Sequence, residues 1–121
     1  MELQRADEAL NDATYLWQGD RLRAATNRAY YAMFHAAQAA LASDGVRRPR
    51  THRGTINLFG QHWTRAGKID LPYARDLQDA FDMQLKSDYD IYAVLNNELV
   101  GETISKAAAF VAEVKRLVDE D

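Results

Sequence analysis

The sequence has no cysteine, only two prolines, and no apolar run long enough to cross a bilayer. Each absence removes a class of protein. Without cysteine there is no disulfide scaffold, no thiol nucleophile and no thiolate metal site, which fits a reducing compartment. Glycine-rich phosphate loops, the zinc-protease helix motif and the calcium loop are also missing. No stretch alternates apolar and polar residues long enough to make a half-buried strand. The three histidines, His35, His52 and His62, show no pairing at metal-ligand spacing on one helix, so no metal is expected. The N-terminal Met1-Glu2-Leu3-Gln4-Arg5 lacks a signal-peptide pattern, and a cytoplasmic protein without membrane segments is the expectation. Acidic residues are absent from Gly45 to Ile69, yet Arg47, Arg48, Arg50, Arg53, Arg65 and Lys68 all fall there.

What is present points to a globular domain. The 121 residues are 47% hydrophobic, enough for one domain, residues 1–121, around one core. The formal net charge of −3 argues against generic nucleic-acid binding. Fields are local and screened, however, so the basic stretch reads either as a solvated loop or as a phosphate-binding surface.

Leu3, Ala6, Leu10, Ala13 and Trp17 recur at three- and four-residue intervals and predict a helix over 3–17. Gln18-Gly19-Asp20 is then a short turn, which implies an antiparallel hairpin. The alanine-rich run from Asp20 to Ser43 predicts a long second helix, with Asp20 as its cap and Gly45 as its stop. Pro49 breaks the basic connector that follows. Thr51 caps a third helix with Ile56, Leu58, Phe59 and Trp63 as its apolar residues, interrupted by Gly60 and stopped at Gly67. Asp70-Leu71-Pro72 starts a fourth helix, to about Lys86. Ser87 to Tyr92 either extends that helix or begins a loop. Asn96 or Asn97 caps the last helix, which reaches about Val118. The fold class is all-α: an up-and-down bundle of four to five helices.

One stretch of the second helix, Asn27-Arg28-Ala29-Tyr30-Tyr31-Ala32-Met33-Phe34-His35, carries a polar stripe. With Asn27 at zero, helical rotation sets Gln38 near ~20°, Tyr31 near ~40°, His35 near ~80° and Arg28 near ~100°. Tyr30, Met33 and Phe34 read as core. Arg28 either pairs with an acid on a neighbouring helix or holds a phosphate. His35 is either a satisfied core histidine or a proton-transfer group. The two lie about 10 Å apart along the axis by the ~1.5 Å rise, too far to grip one atom but close enough to touch one phosphodiester if their side chains lean together.

At these residues the sequence resembles the HEPN domains, small all-helical modules. Three pieces carry the resemblance, in the family's order: Asn27 to Ala37, then Thr51-His52-Arg53-Gly54 with Ile56 to Phe59, then Ser87-Asp88-Tyr89-Asp90 leading into the last helix. It is closest to the compact branch often encoded beside a minimal nucleotidyltransferase. The resemblance implies a helical bundle that forms a homodimer, its polar motif lining a cleft at the interface, with no cofactor. It implies a toxin of a toxin–antitoxin or defence system, a metal-independent endoribonuclease acting on RNA and neutralised by a nucleotidyltransferase partner.

On that reading Arg28 binds phosphate, His35 or Tyr31 assists proton transfer, and Asn27 and Asp88 position them. Arg28, Arg47, Arg48, Arg50 and Arg53 are the RNA- or nucleotide-binding candidates, and Tyr89 and Tyr92 are candidates for a modified tyrosine. Two features depart from the family: Gln84 stands where close relatives often have arginine, and the late arginine-to-histidine signature is absent. Gln84 and the acidic net charge favour an alternative, a non-catalytic module binding a nucleotide or the partner protein. A third reading is a structural domain whose polar stripe is a buried network.

Overall fold

Helix formation follows the apolar spacing. In a computed structural model, which describes residues 2–89 and 95–119 with Tyr89 described by its backbone alone, α1 spans Glu2–Gln18 and buries Ala6, Ala9 and Ala13. The helix α2 spans Leu22–Ser43 and α3 spans His52–Phe59, continued by a π-helical turn at Gly60–Thr64. The helices α4, Leu71–Tyr89, and α5, Asn97–Asp119, complete the bundle. There is no strand among the described residues, so the all-α expectation holds.

Asp20 is not the cap expected of it. Its φ is 61°, in the left-handed region that aspartate tolerates better than most residues. Asp20 N–H donates to Trp17 O at 3.0 Å and Arg21 N–H to Leu16 O at 2.8 Å, the paired bonds of a Schellman motif. Asp20 thus ends α1 instead of starting α2. Arg21 takes the cap position of α2 and supplies no side-chain bond. The end of α2 repeats the device with Gly45, φ 74°, whose N–H donates to Ala42 O at 3.0 Å while Val46 N–H donates to Leu41 O at 3.0 Å.

Two caps stand where the sequence puts them. Thr51 Oγ1 accepts from Gly54 N–H at 2.9 Å and Asn96 Oδ1 accepts from Leu99 N–H at 2.8 Å. At Gly60 the third helix widens, with Arg65 N–H reaching Gly60 O at 2.9 Å. Trp63, in this wider turn, stacks on Phe59 at 5.8 Å and donates Nε1–H to Asp44 Oδ2 at 2.8 Å. Lys68 Nζ donates to the other Asp44 oxygen at 2.8 Å.

Contacts between helix ends give their directions. Glu2 at the start of α1 meets His35 late in α2, and Asp7 meets Lys115 late in α5, so α1 runs opposite to both. Gln84 late in α4 meets Asn27 early in α2, so α4 is antiparallel to α2. The central element is α2. Its Ala25, Ala29, Ala32, Ala36, Ala37 and Ala40 are fully buried, and such small side chains let neighbouring helices approach closely. Tyr30, Met33, Phe59 and Phe110 fill the larger spaces, each with no exposed surface. Burial of one such side chain contributes about 1.5–3 kcal/mol. Phe34 is buried too, as expected of the core face.

Candidate functional site

Asn27 and Arg28 lie in the second turn of α2, just past the reversal at Asp20, and face the end of α4. Arg28 donates through Nε and NH2 to Asn27 Oδ1, both at 3.1 Å. Asn27 Nδ2 donates to Gln84 Oε1 at 3.2 Å, and Gln84 Nε2 donates to Asp88 Oδ2 at 2.8 Å. Four side chains from two helices therefore form one directed chain ending on a carboxylate. A cleft of about 590 Å³ opens beside it, lined by Arg21, Arg23, Asn27, Arg28 and Asp88 with Leu16 and Leu22 as an apolar wall. Three arginines face one carboxylate there, at the N-terminal turn of a long helix with no acidic residue in that turn. Guanidinium groups and a helix N-terminus both favour an anion.

An aromatic wall continues from the cleft. The Arg28 guanidinium lies 4.9 Å from the Tyr31 ring centre, a cation–π distance. Tyr31 meets His52 edge-on at 5.4 Å, and His52 stacks on Phe34 at 4.2 Å. Tyr30 hydroxyl and His52 Nδ1 are 2.8 Å apart. Burial, with Tyr31 adding to it, pushes the Tyr30 phenol well above its ordinary range, so it stays protonated and donates. Burial pushes the His52 imidazole below its ordinary value, which suits it to accept. Arg53 packs its guanidinium 5.1 Å from the Phe81 ring centre.

His35 turns elsewhere. Its Nδ1 is 2.8 Å from Glu2 Oε2, while Glu2 Oε1 lies 3.6 Å from Arg5 and 3.8 Å from Arg48. Arg48 also donates to the buried Gln38 at 3.3 Å. So Arg28, Asn27 and Asp88 come together through Gln84, whereas Arg28 and His35 share no hydrogen-bond partner among the described residues; Tyr31 lies between them, its ring 6.1 Å from that of His35. Arg47 and Arg50 are exposed on the connector. The Tyr89 side chain and Tyr92 lie outside the described residues. Among the described residues no three His, Asp or Glu side chains cluster as metal ligands, and no helix is long and apolar enough to cross a membrane.

Sequence reasoning missed four contributors: Glu2, Arg21, Arg23 and the bridging role of Gln84. The missing acid in the first turn of α2 was a usable signal for Arg21 and Arg23. The pairing of Glu2 with His35 spans 33 residues and leaves no local signature.

The site belongs to an all-helical bundle whose polar cleft is built on its second and fourth helices. The family model for the HEPN domain matches residues 2–117, and the chain belongs to that family. It is 33% identical to a UPF0332 protein of Archaeoglobus fulgidus, covering all of this chain and 95% of that one. It is 29% identical to a UPF0332 protein of Thermotoga maritima over 97% of this chain and 88% of the relative. A protein of Methanocaldococcus jannaschii named a "putative toxin" is 31% identical over 98% of this chain and 87% of its own.

Proposed function

We propose that this chain, folded as a single HEPN domain, is a toxin that cleaves RNA without a metal and is held in check by a nucleotidyltransferase partner. Family membership and the name of the Methanocaldococcus relative support a toxin role. The observation that carries the RNA reading is the Arg28 cleft. Its three arginines and helix N-terminus match a phosphodiester, and Leu16, Leu22 and the adjoining Tyr31 ring suit a sugar and base. Asn27, Gln84 and Asp88 fix the guanidinium plane. Cleavage by the ribose 2′-hydroxyl needs only phosphate stabilisation and proton transfer, which arginine and histidine supply. The exposed Arg47 and Arg50 are further candidates for phosphate contact.

The test is cleavage of single-stranded RNA by purified protein in chelator, with identically purified Arg28→Ala and His35→Ala. Wild type cuts, and Arg28→Ala loses roughly 10- to 100-fold in kcat/KM, the scale of one lost charge-assisted hydrogen bond to the bound phosphate. Equal cleavage by all three folded proteins would overturn the assignment.

One observation favours a second reading, a binding module for a nucleotide or the partner. Gln84 keeps the chain from Arg28 neutral until Asp88, so the cleft holds an anion without a titrating acid–base pair. That reading predicts a nucleotide-dependent rise in melting temperature with no RNA turnover.

A further inference from the structure

Arg28 and His35 share a helix but serve different partners, and the groups gathered about His35 form a centre of their own. A carboxylate oxygen accepts, so the 2.8 Å contact to Glu2 sets an N–H on His35 Nδ1, and in the neutral ring the lone pair then sits on Nε2. No hydrogen bond engages Nε2 among the described residues. The ring is held between Tyr31 and Phe34, each 6.1 Å away, and its side chain is 17% exposed. Arg48 reaches the second Glu2 oxygen at 3.8 Å and is steadied by Gln38, with 62% of its side chain exposed. Carboxylate, imidazole and guanidinium thus converge from α1, α2 and the basic connector.

We propose that Glu2, His35 and Arg48 form the proton-transfer centre of the RNA cleavage, with Arg28 holding a neighbouring phosphate of the same strand. This rests on the ribonuclease reading. His35 Nε2 takes the proton of the 2′-hydroxyl as the O2′–P bond forms. The P–O5′ bond breaks, O5′ leaves with a proton from water, and the imidazolium releases its proton to solvent. The products are a 2′,3′-cyclic phosphate and a 5′-hydroxyl, and no co-reactant is consumed. Arg48 binds the non-bridging oxygens. Glu2 is a positioning residue that sets the tautomer and ring orientation, as carboxylates do for catalytic imidazoles generally. A merely structural tie between α1 and α2 would not need a free Nε2 or an exposed arginine beside it.

Steady-state cleavage of single-stranded RNA by wild type, Glu2→Gln, His35→Ala, Arg48→Ala and Arg28→Ala separates the roles, with melting temperatures and nitrogen NMR of the His35 ring alongside. The expected result is a kcat loss of roughly 100-fold for His35→Ala and a smaller one for Glu2→Gln, whose amide oxygen keeps the tie. KM and melting temperature of Glu2→Gln stay near wild type. Arg28→Ala raises KM instead. NMR finds the wild-type proton on Nδ1. A proton on Nε2, or a Glu2→Gln loss that follows melting temperature and leaves kcat intact in the folded fraction, overturns the proposal. If wild type cuts and the Glu2, His35 and Arg48 variants match it, this centre alone is refuted. If wild type cuts no RNA, the ribonuclease reading falls and this centre with it.

Discussion

Replacing Gln84 by leucine tests whether the cleft is held together by hydrogen bonds or only by shape. Gln84 is 8% exposed and bonded at both ends, accepting from Asn27 at 3.2 Å and donating to Asp88 at 2.8 Å. Leucine is similar in bulk and can do neither. The neutral bond contributes about 1 kcal/mol and the charge-assisted one about 1.5–3 kcal/mol. Asp88 is exposed, so water replaces much of its lost donor, while leucine gains some burial. The net loss is about 1–2 kcal/mol, and a chain of this size then melts about 4–8 °C lower. Circular dichroism melts measure it. On the proposed function, RNA affinity falls several-fold as well, because Asn27 no longer fixes the guanidinium. An unchanged or higher melting temperature would show that the amide bridge contributes nothing, and the account of Arg28 positioning would go with it. Gln84→Glu sharpens the comparison: it sets two carboxylates at hydrogen-bond range, so its deficit exceeds that of leucine at neutral pH and shrinks on acidification.

Other expectations follow from the same geometry. The His52 imidazole is depressed by burial, so below about pH 6.5 the unfolded chain binds a proton that the folded one refuses. Its contribution is complete above that value and declines as pH falls; in urea titrations at pH 7.5 and 5.5, His52→Gln should lose less stability on acidification than wild type, and equal losses would rule the effect out. Gly101→Ala should destabilise despite the ~1 kcal/mol better helix propensity of alanine. Its Cβ would lie 2.8 Å from Trp17 Cζ2, and that ring is anchored by its 2.9 Å bond to Asn97 O. A lower melting temperature with altered tryptophan emission is expected, and a stabilised variant would mean that Trp17 moves freely.

Local signals were legible in the sequence, and remote pairings were not. Thr51, Asn96, Gly45 and Gly67 announce helix ends because caps and left-handed stops need particular residues within a few positions. Asp20 misled because aspartate suits both a cap and a left-handed stop, and the tight reversal selects the second. Gly60 gave warning of a disturbance, yet whether it would end or widen the helix depends on where Trp63 finds room. Within the site, the stripe on α2 placed Asn27, Arg28, Tyr31, His35 and Gln38 on one face. Which of them point to α4 and which to α1 is decided by Gln84, Asp88 and Glu2, whose positions follow from packing.

Asp44 holds Trp63 with one oxygen and Lys68 with the other, fastening the base of the segment that carries the arginine-rich connector. A loop whose ends are clasped tolerates changes in its length cheaply, since doubling a flexible span costs only about 0.6 kcal/mol in closure entropy. Residues 47–50 can therefore lengthen or shorten while the bundle below stays in register, at the cost of the Arg48 contacts to Glu2 and Gln38. The sequence of that connector has room to drift by insertion and deletion at little cost to stability, so long as Asp44 stays.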